Sequence, residues 1–314
     1  MFVILPGTWL NHSFVRGKFV IDSQKQIQRI LKYGISEVKV DYDKSNVVVE
    51  PSDVIKSKVV DEVVKQEALI PPNFKEIIHD QSVPPEKKAD FIYQSSLGIM
   101  RDLFAHPTTE SIGEFKDGVS DMVDLIVTDD ETSRNLLSLT SHDFDTYTHS
   151  VNVGVHSILL TKALYGGTLS HNIHELGAAF FLHDLGKVNV DLSLITKPGR
   201  LTNSEMDVMR EHPTHGYDIL DETNQLSEEC KVIVMQHHER EDGTGYPLGL
   251  KGDEIHPYGR ICSIADVFDA LTSKRPYKEG MNLFQALQIM KTEMRSHFQE
   301  DIFGEFVNLF SANS

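Results

Sequence analysis

Cysteine is scarce in this sequence, and the two that occur are poorly placed for a shared role. Cys230 and Cys262 are the only cysteines among 314 residues, and they form no CxxC pair. A disulfide framework is thereby excluded, because such domains need several paired cysteines. A reducing cytoplasm is the expected location.

Long apolar runs are missing as well. No stretch approaches the roughly 18 to 20 apolar residues that a membrane helix needs. The opening Met1–Leu5 is apolar, but it has no basic leader and is interrupted at once by Pro6 and Gly7, which is unlike a secretory signal. We therefore expect no membrane association.

The chain also has no excess of positive charge, and its excess of acidic residues lies in one part of the sequence. Residues 1–110 carry 14 Lys and Arg against 15 Asp and Glu, whereas residues 111–314 carry 16 against 32. The resulting net charge of −16 repels polyanions, so extended nucleic acid is not an expected partner. The same field tolerates bound metal cations.

The pattern of apolar residues predicts two domains of different type. Residues 14–21 and 37–40 read as short strands around a helix at 24–33, and prolines punctuate 46–85. We predict an α+β protein, with a small mixed α/β domain plus connector at 1–110 and an all-α bundle at 111–314. Thr202 and Glu205 match a capping box at a helix start. Helices are predicted at 86–105, 110–128, 131–139, 144–165, 171–183, 203–221, 226–239, 257–273 and 282–296.

Histidine is what the chain has in quantity, with 15 in all, several of them beside carboxylates. Taken singly, each has an ordinary explanation, such as a hydrogen-bonded core histidine, a turn cap or a helix carboxylate. Taken together they do not, because burying ionisable groups is costly unless they are paired or bind metal. Imidazole with carboxylate suits first-row metals such as Fe, Mn or Zn. The set is His149, His183, Asp184, His212, His237, His238 and Asp266.

The order of these residues resembles the HD-GYP family of HD-superfamily phosphodiesterases. The resemblance rests on that set together with three local motifs, and it covers roughly residues 112–310. The motifs are His183-Asp184-Leu185-Gly186-Lys187, Gly245-Tyr246-Pro247 and Ser273-Lys274-Arg275-Pro276-Tyr277-Lys278. A separate segment beginning Trp9-Leu10-Asn11-His12 resembles the small domain of unassigned function that often precedes HD-GYP domains.

The resemblance implies roles for individual residues. Asp184 corresponds to the family's residue that bridges two metals, and Lys187 is placed to meet a phosphate or a leaving oxygen. Tyr246, Arg275 and Lys278 correspond to substrate contacts. The implied metal ligands are His149, His183, Asp184, His212, His237, His238 and Asp266.

One position departs from the family's fullest pattern. Three-metal members carry Glu four residues before the first histidine, where this chain has Asp145. Residues at i and i+4 share a helix face, so Asp145 reaches the same region as His149 with a side chain one methylene shorter. We therefore expect two or three divalent transition-metal ions, with Fe the first expectation and Mn the second.

The implied function is hydrolysis of a cyclic dinucleotide, cyclic di-GMP first, to a linear dinucleotide or to mononucleotides. Three alternatives stay open: a hydrolase of cyclic GMP-AMP or a guanosine polyphosphate, a non-catalytic receptor for the dinucleotide, and an adaptor protein. A homodimer or a protein partner is left open too. The intact ligand set favours the enzyme over the receptor.

Overall fold

The computed structural model divides the chain into two compact units, Met1–Glu67 and Ala68–Ser314. The structure describes most of the second unit and a few residues of the first. The described residues are 2–4, 18–20, 39–40, 68–140, 146–166, 172–274 and 279–311.

The first unit contains a three-stranded antiparallel sheet. β1 (Phe2–Ile4) lies in the centre, between β2 (Lys18–Val20) and β3 (Lys39–Val40). Val3 pairs with Phe19 on one side and with Val40 on the other. The strands contain three, three and two residues; β2 and β3 lie within the predicted strands at 14–21 and 37–40, whereas β1 was not predicted.

The α+β fold class predicted from the sequence is wrong. Strands this short cannot build a core of their own, and the described part of the chain is otherwise helical. The described residues before 68 contain no helix, so a mixed α/β N-terminal domain is not supported. The predicted helix at 24–33 lies outside the described residues.

The second unit is built from helices that share one apolar core. Their order follows the predicted pattern, but α1 in the predicted connector, the short α7 and the final α13 were not predicted, and one predicted helix is divided in two. The helices are α1 (Phe74–His79), α2 (Pro85–Ala105), α3 (Thr109–Thr128), α4 (Asp130–Leu139), α5 (Thr146–Tyr165), α6 (Ile173–Phe181), α7 (Leu192–Ile195), α8 (Asn203–Met209), α9 (His212–Thr223), α10 (Glu228–Gln236), α11 (Pro257–Thr272), α12 (Leu283–Thr292) and α13 (Glu300–Ser311).

Helix α5 is the centre of this unit. It is buried almost throughout from Thr148 to Thr161, which is typical of a helix surrounded by others. It packs against α6 and α11, and also against α2 and α13. Polar residues on α5 therefore face the interior, where each of them needs a partner.

The predicted helix at 203–221 is two helices in the structure. The capping box of Thr202 and Glu205 is confirmed at the start of α8. α8 ends at Met209, and Pro213 lies in the first turn of α9. Proline has no N–H to donate and its ring clashes with the carbonyl four residues earlier, so a single helix cannot pass through this position. The break places His212 at the start of a helix.

None of the helices in the described residues is long and apolar enough to cross a membrane.

Candidate metal centre

The seven predicted ligands come together in the second unit, although they are distributed over 118 positions of the chain from 149 to 266. They lie on α5, in the turn after α6, at the start of α9, just after α10 and on α11. Within each of two groups the donor atoms lie within 4.8 Å of one another. The groups are Asp184, His212, His237 and His238, called here the Asp184 group, and His149, His183 and Asp266, called the His149 group.

Asp184 lies between the two groups and turns one oxygen towards each. Its Oδ1 lies 3.2 Å from His212 Nε2 and 3.8 Å from His237 Nε2. Its Oδ2 lies 3.5 Å from His149 Nε2 and 3.6 Å from His183 Nε2. A carboxylate in this position can contact two cations at once.

Asp266 on α11 makes a second link between the groups. Its Oδ1 lies 3.0 Å from His149 Nε2, and its Oδ2 lies 3.3 Å from His238 Nδ1. His238 is partly exposed, while His149 is buried. The cluster therefore has a buried side and a side that faces the surface.

Three histidines are oriented by their own backbone. In His183, His212 and His237, Nδ1 lies 2.8–2.9 Å from the backbone carbonyl three residues earlier. A carbonyl only accepts hydrogen bonds, so each Nδ1 donates, and in the neutral tautomer Nε2 is then the atom with the lone pair. All three Nε2 atoms point into the cluster.

This arrangement fits a bound cation. His212 Nε2 and His237 Nε2 lie 3.2 Å apart, lone pair towards lone pair in the neutral rings. His183 Nε2 is buried and has no hydrogen-bond partner in the part of the chain that the structure describes. Buried acceptors without a donor are costly, and a divalent ion among them removes that cost. Imidazole nitrogens and carboxylate oxygens are suitable donors for first-row ions.

His149 is oriented differently, by a network that the sequence reading missed. Its Nδ1 donates to Asp269 Oδ2 at 2.6 Å. The same carboxylate accepts from Asn152 Nδ2 at 2.7 Å and from Ser273 Oγ at 3.0 Å. Asp269 lies three residues after Asp266 on α11, so the spacing on one helix face was the available signal.

The electrostatics of the two groups also differ. Burial would lower the pKa of His149, but hydrogen bonds to Asp266 and Asp269 outweigh it and raise that pKa to about 10. Burial, together with neighbouring imidazoles, lowers the pKa of His237 well below its ordinary value. Burial likewise lowers the pKa of His238 to about 3. Before metal binds, His149 is therefore a positively charged imidazolium at neutral pH, whereas His237 and His238 are neutral imidazoles.

Both carboxylates are held in the charged form. Burial opposes ionisation of Asp184, but Lys187 and the surrounding histidines lower its pKa well below the ordinary range. Burial also opposes ionisation of Asp266, and His149 and His238 lower its pKa in the same way. Lys187 donates from Nζ to Asp184 Oδ2 and keeps part of its side chain exposed beside the cluster.

Tyr246 covers one side of the Asp184 group. Its ring centroid lies 4.6 Å from that of His238, and the Arg210 guanidinium lies 5.6 Å from the tyrosine ring. The Tyr246–Pro247 peptide is cis. The loop is anchored by the buried Glu239, whose carboxylate accepts three backbone N–H groups at 2.7–3.1 Å, those of Leu248, Gly249 and Leu250.

Two glycines of the motifs are required by close backbone approach. A Cβ on Gly186 would collide with the backbone of His212 and Gly216, so only glycine lets the turn after Asp184 meet α9. A Cβ on Gly245 would lie 2.5–2.6 Å from the backbone of residues 238–240. Both glycines bring two parts of the cluster together.

Three predicted site residues, Asp145, Arg275 and Lys278, lie outside the described residues.

Family models match both parts of the chain. A model described as HD domain matches residues 131–302, which is more than half of the sequence. A model described as a domain of unknown function, DUF3391, matches residues 1–110.

Several curated proteins are similar to this chain. A cyclic di-GMP phosphodiesterase of Pseudomonas aeruginosa is 33% identical over 307 residues, covering 96% of this chain and 72% of that protein. A cyclic di-GMP phosphodiesterase response regulator of Xanthomonas campestris is 49% identical over 122 residues, which are 38% of this chain and 32% of that protein. A 3'3'-cGAMP-specific phosphodiesterase of Vibrio cholerae is 36% identical over 191 residues, which are 60% and 36% of the two chains.

A solved structure shares the fold. An HDG"Y"P protein from Bdellovibrio bacteriovorus superposes with a TM-score of 0.63 at 20% identity, over 76% of this chain and 77% of that one.

Proposed function

Because the chain belongs to the HD-GYP family of HD-domain proteins, we propose that it is a metal-dependent phosphodiesterase acting on a cyclic dinucleotide, cyclic di-GMP first. The observation that carries this function is the position of Asp184, which turns one carboxylate oxygen towards each group of imidazoles. Relatives named for cyclic di-GMP and for 3'3'-cGAMP support the substrate class.

The metal site consists of the two groups described above. His212, His237 and His238 would hold one ion with Asp184, and His149, His183 and Asp266 would hold a second, with Asp184 placed to serve both. When bound, divalent ions at such a site supply a nucleophile from water at neutral pH and neutralise charge on the phosphate. We expect Fe or Mn, because imidazole and carboxylate donors suit both and no thiol belongs to either group.

The ion count depends on a residue outside the described part of the chain. Asp145 precedes His149 by one helical turn in sequence, and a carboxylate there would serve a third ion directly or through a water. Asp is shorter than Glu by about 1.5 Å, one bond length. The proposal is therefore two tightly held ions and a weaker third.

The residues around the ions are the proposed contacts to a substrate with two negative charges. Lys187 Nζ contacts Asp184 and keeps part of its side chain exposed, where it meets a phosphate oxygen or the leaving oxygen. In the hydrolysis one P–O ester bond breaks, water oxygen bonds to phosphorus, and the released oxygen takes a proton. Tyr246 forms one wall beside His238. Arg275 and Lys278 are proposed phosphate contacts that offset the acidic field of the whole protein.

The remaining assignments follow from this function. Residues 111–314 form the proposed catalytic domain and 1–110 a regulatory or partner-docking part. We place the protein in the cytoplasm, where Cys230 and Cys262 stay free, and both are unpaired and buried in the structure. We propose a second copy or another protein as a regulator, and we expect neither extended nucleic acid nor a membrane as a partner.

Turnover by the full chain tests the proposal. Protein purified without oxygen and loaded with Fe(II) or Mn(II) should convert cyclic di-GMP to the linear dinucleotide or to mononucleotides, separated by chromatography. Cyclic GMP-AMP is run in parallel to rank the two substrates. The Asp184→Ala variant should lose both metal and product while keeping its helical content, because the surrounding core is apolar.

A receptor gives a different result. Binding of cyclic di-GMP without product, with either metal and under reducing conditions, would contradict the enzyme and favour the receptor. Product formation by Asp184→Ala at the wild-type rate would contradict the assigned site.

A further inference from the structure

One buried chain of hydrogen bonds leads from the metal centre to a helix outside the HD-domain match. Tyr93 OH donates to Asn152 Oδ1 at 2.9 Å, and Asn152 Nδ2 donates to Asp269 Oδ1 at 2.7 Å. Asp269 Oδ2 in turn accepts from His149 Nδ1 at 2.6 Å. All four side chains are at most 3% exposed. Four residues from three helices therefore form one continuous path.

The origin of Tyr93 distinguishes it from the other three residues. Tyr93 lies on α2 (Pro85–Ala105), inside residues 1–110 that match the domain of unknown function and before the HD-domain match at 131–302. α2 nevertheless packs against α4 and α5, within the unit Ala68–Ser314. Tyr93 therefore comes from the segment that matches the N-terminal family model, but it lies in the interior of the helical unit.

The direction of each bond explains what Tyr93 can do. A phenol that donates to the amide oxygen of Asn152 leaves the amide N–H groups facing Asp269. The reversed amide would place oxygen against carboxylate, which is repulsive. Asp269 is then held to accept from His149 Nδ1, and this leaves Nε2 as the atom that faces Asp184 and Asp266. The groups that orient a metal-binding histidine strongly affect metal affinity.

We propose that Tyr93 is a positioning residue for His149, acting through Asn152 and Asp269, so that α2 belongs functionally to the metal centre. The inference rests on the proposed metal site and not on which dinucleotide is the substrate. It also gives the N-terminal part a physical route to the active site, because a displacement of α2 changes the support of His149.

The test measures metal affinity in the full chain. Tyr93→Phe removes the hydroxyl and keeps the ring, and it should weaken binding of the ion of the His149 group by roughly 3- to 10-fold, the range expected for one buried hydrogen bond. Affinity is measured by chelator competition with Co(II), whose visible spectrum also reports the ligands of each ion. Tyr258→Phe is the matched control, since Tyr258 is similarly buried and lies on the helix that carries Asp266.

A double-mutant cycle separates positioning from general stability. Asn152→Leu cuts the path, so adding Tyr93→Phe to it should cause no further loss of affinity. Equal effects of Tyr93→Phe and Tyr258→Phe, or full additivity with Asn152→Leu, would overturn the proposal. Because no substrate is involved, a protein that binds metal but does not hydrolyse cyclic di-GMP would contradict the proposed function and leave this result unaffected.

Discussion

The two groups of the metal centre differ in the support of one histidine: His183, like His212 and His237, is held by its own backbone, and His149 is not. In the Asp184 group, His212 and His237 donate Nδ1 to a carbonyl three residues earlier on the same segment. In the His149 group, His149 depends on Asp269, which lies 120 positions away in sequence. The first kind of support is formed whenever the local turn forms, whereas the second needs α5 and α11 to pack together. We therefore expect the ligands of the Asp184 group to be held in position more firmly than His149.

The difference also explains what could be predicted from the sequence. The ligands were found through the order of their motifs, and the helix starts through local signals such as Thr202 with Glu205. Asn152 and Tyr93 carried no such signal, because an amide and a phenol on apolar helices look like ordinary core residues. Their role depends on which helices meet, which is a property of tertiary packing.

The α+β class failed for a related reason. Short stretches of β-branched residues predicted strands at 14–21 and 37–40, and short strands do occur there. Local pattern, however, does not reveal how much core an element buries. The helices supply that core, from Phe74 to Phe306.

Of the changes considered, Asp269→Asn should have the largest effect on the difference in metal affinity between the two groups. An amide cannot hold the Nδ1–H of His149 as a carboxylate does, so affinity for the ion of the His149 group should fall by roughly 10- to 100-fold. The ion of the Asp184 group should be unaffected. Asp218→Asn, an exposed change on α9, is the control, and chelator competition is the measurement. A uniform loss of both ions would mean that the two groups are not supported separately.

The two groups should also differ in how their metal affinity depends on pH. Because the pKa of His149 is raised to about 10, an ion entering the His149 group must displace a proton at neutral pH. Its apparent affinity should rise with pH from about 6 to 9, by up to roughly tenfold per unit. The lowered pKa values of His237 and His238 leave those rings neutral over the same range, so they add no such slope.

Calorimetry in buffers of different ionisation enthalpy measures the protons released. One proton for the ion of the His149 group is the expected value, and Asp269→Asn should reduce it. Affinities for both ions that do not change between pH 6 and 9 would contradict the charge state assigned to His149.

The smallest expected effect is on substrate binding by Arg275 and Lys278, which belong to neither group. Arg275→Ala or Lys278→Ala should raise the apparent KM by roughly tenfold, the cost of one charge-assisted hydrogen bond. Metal content should stay unchanged. Lys274→Ala is a neighbouring control, because Lys274 pairs with Glu279 at 3.0 Å on the surface. Loss of metal in Arg275→Ala or Lys278→Ala would mean that the residue supports the metal site and is not simply a substrate contact.

Anomalous diffraction from crystals of the metal-loaded full chain tests the central claim most directly. We predict one peak among His149, His183 and Asp266, and another among His212, His237 and His238, with Asp184 in contact with both. A weaker third peak beside Asp145 would fit the proposed weak ion. A single peak, or peaks away from these side chains in a protein that hydrolyses cyclic di-GMP, would contradict the account.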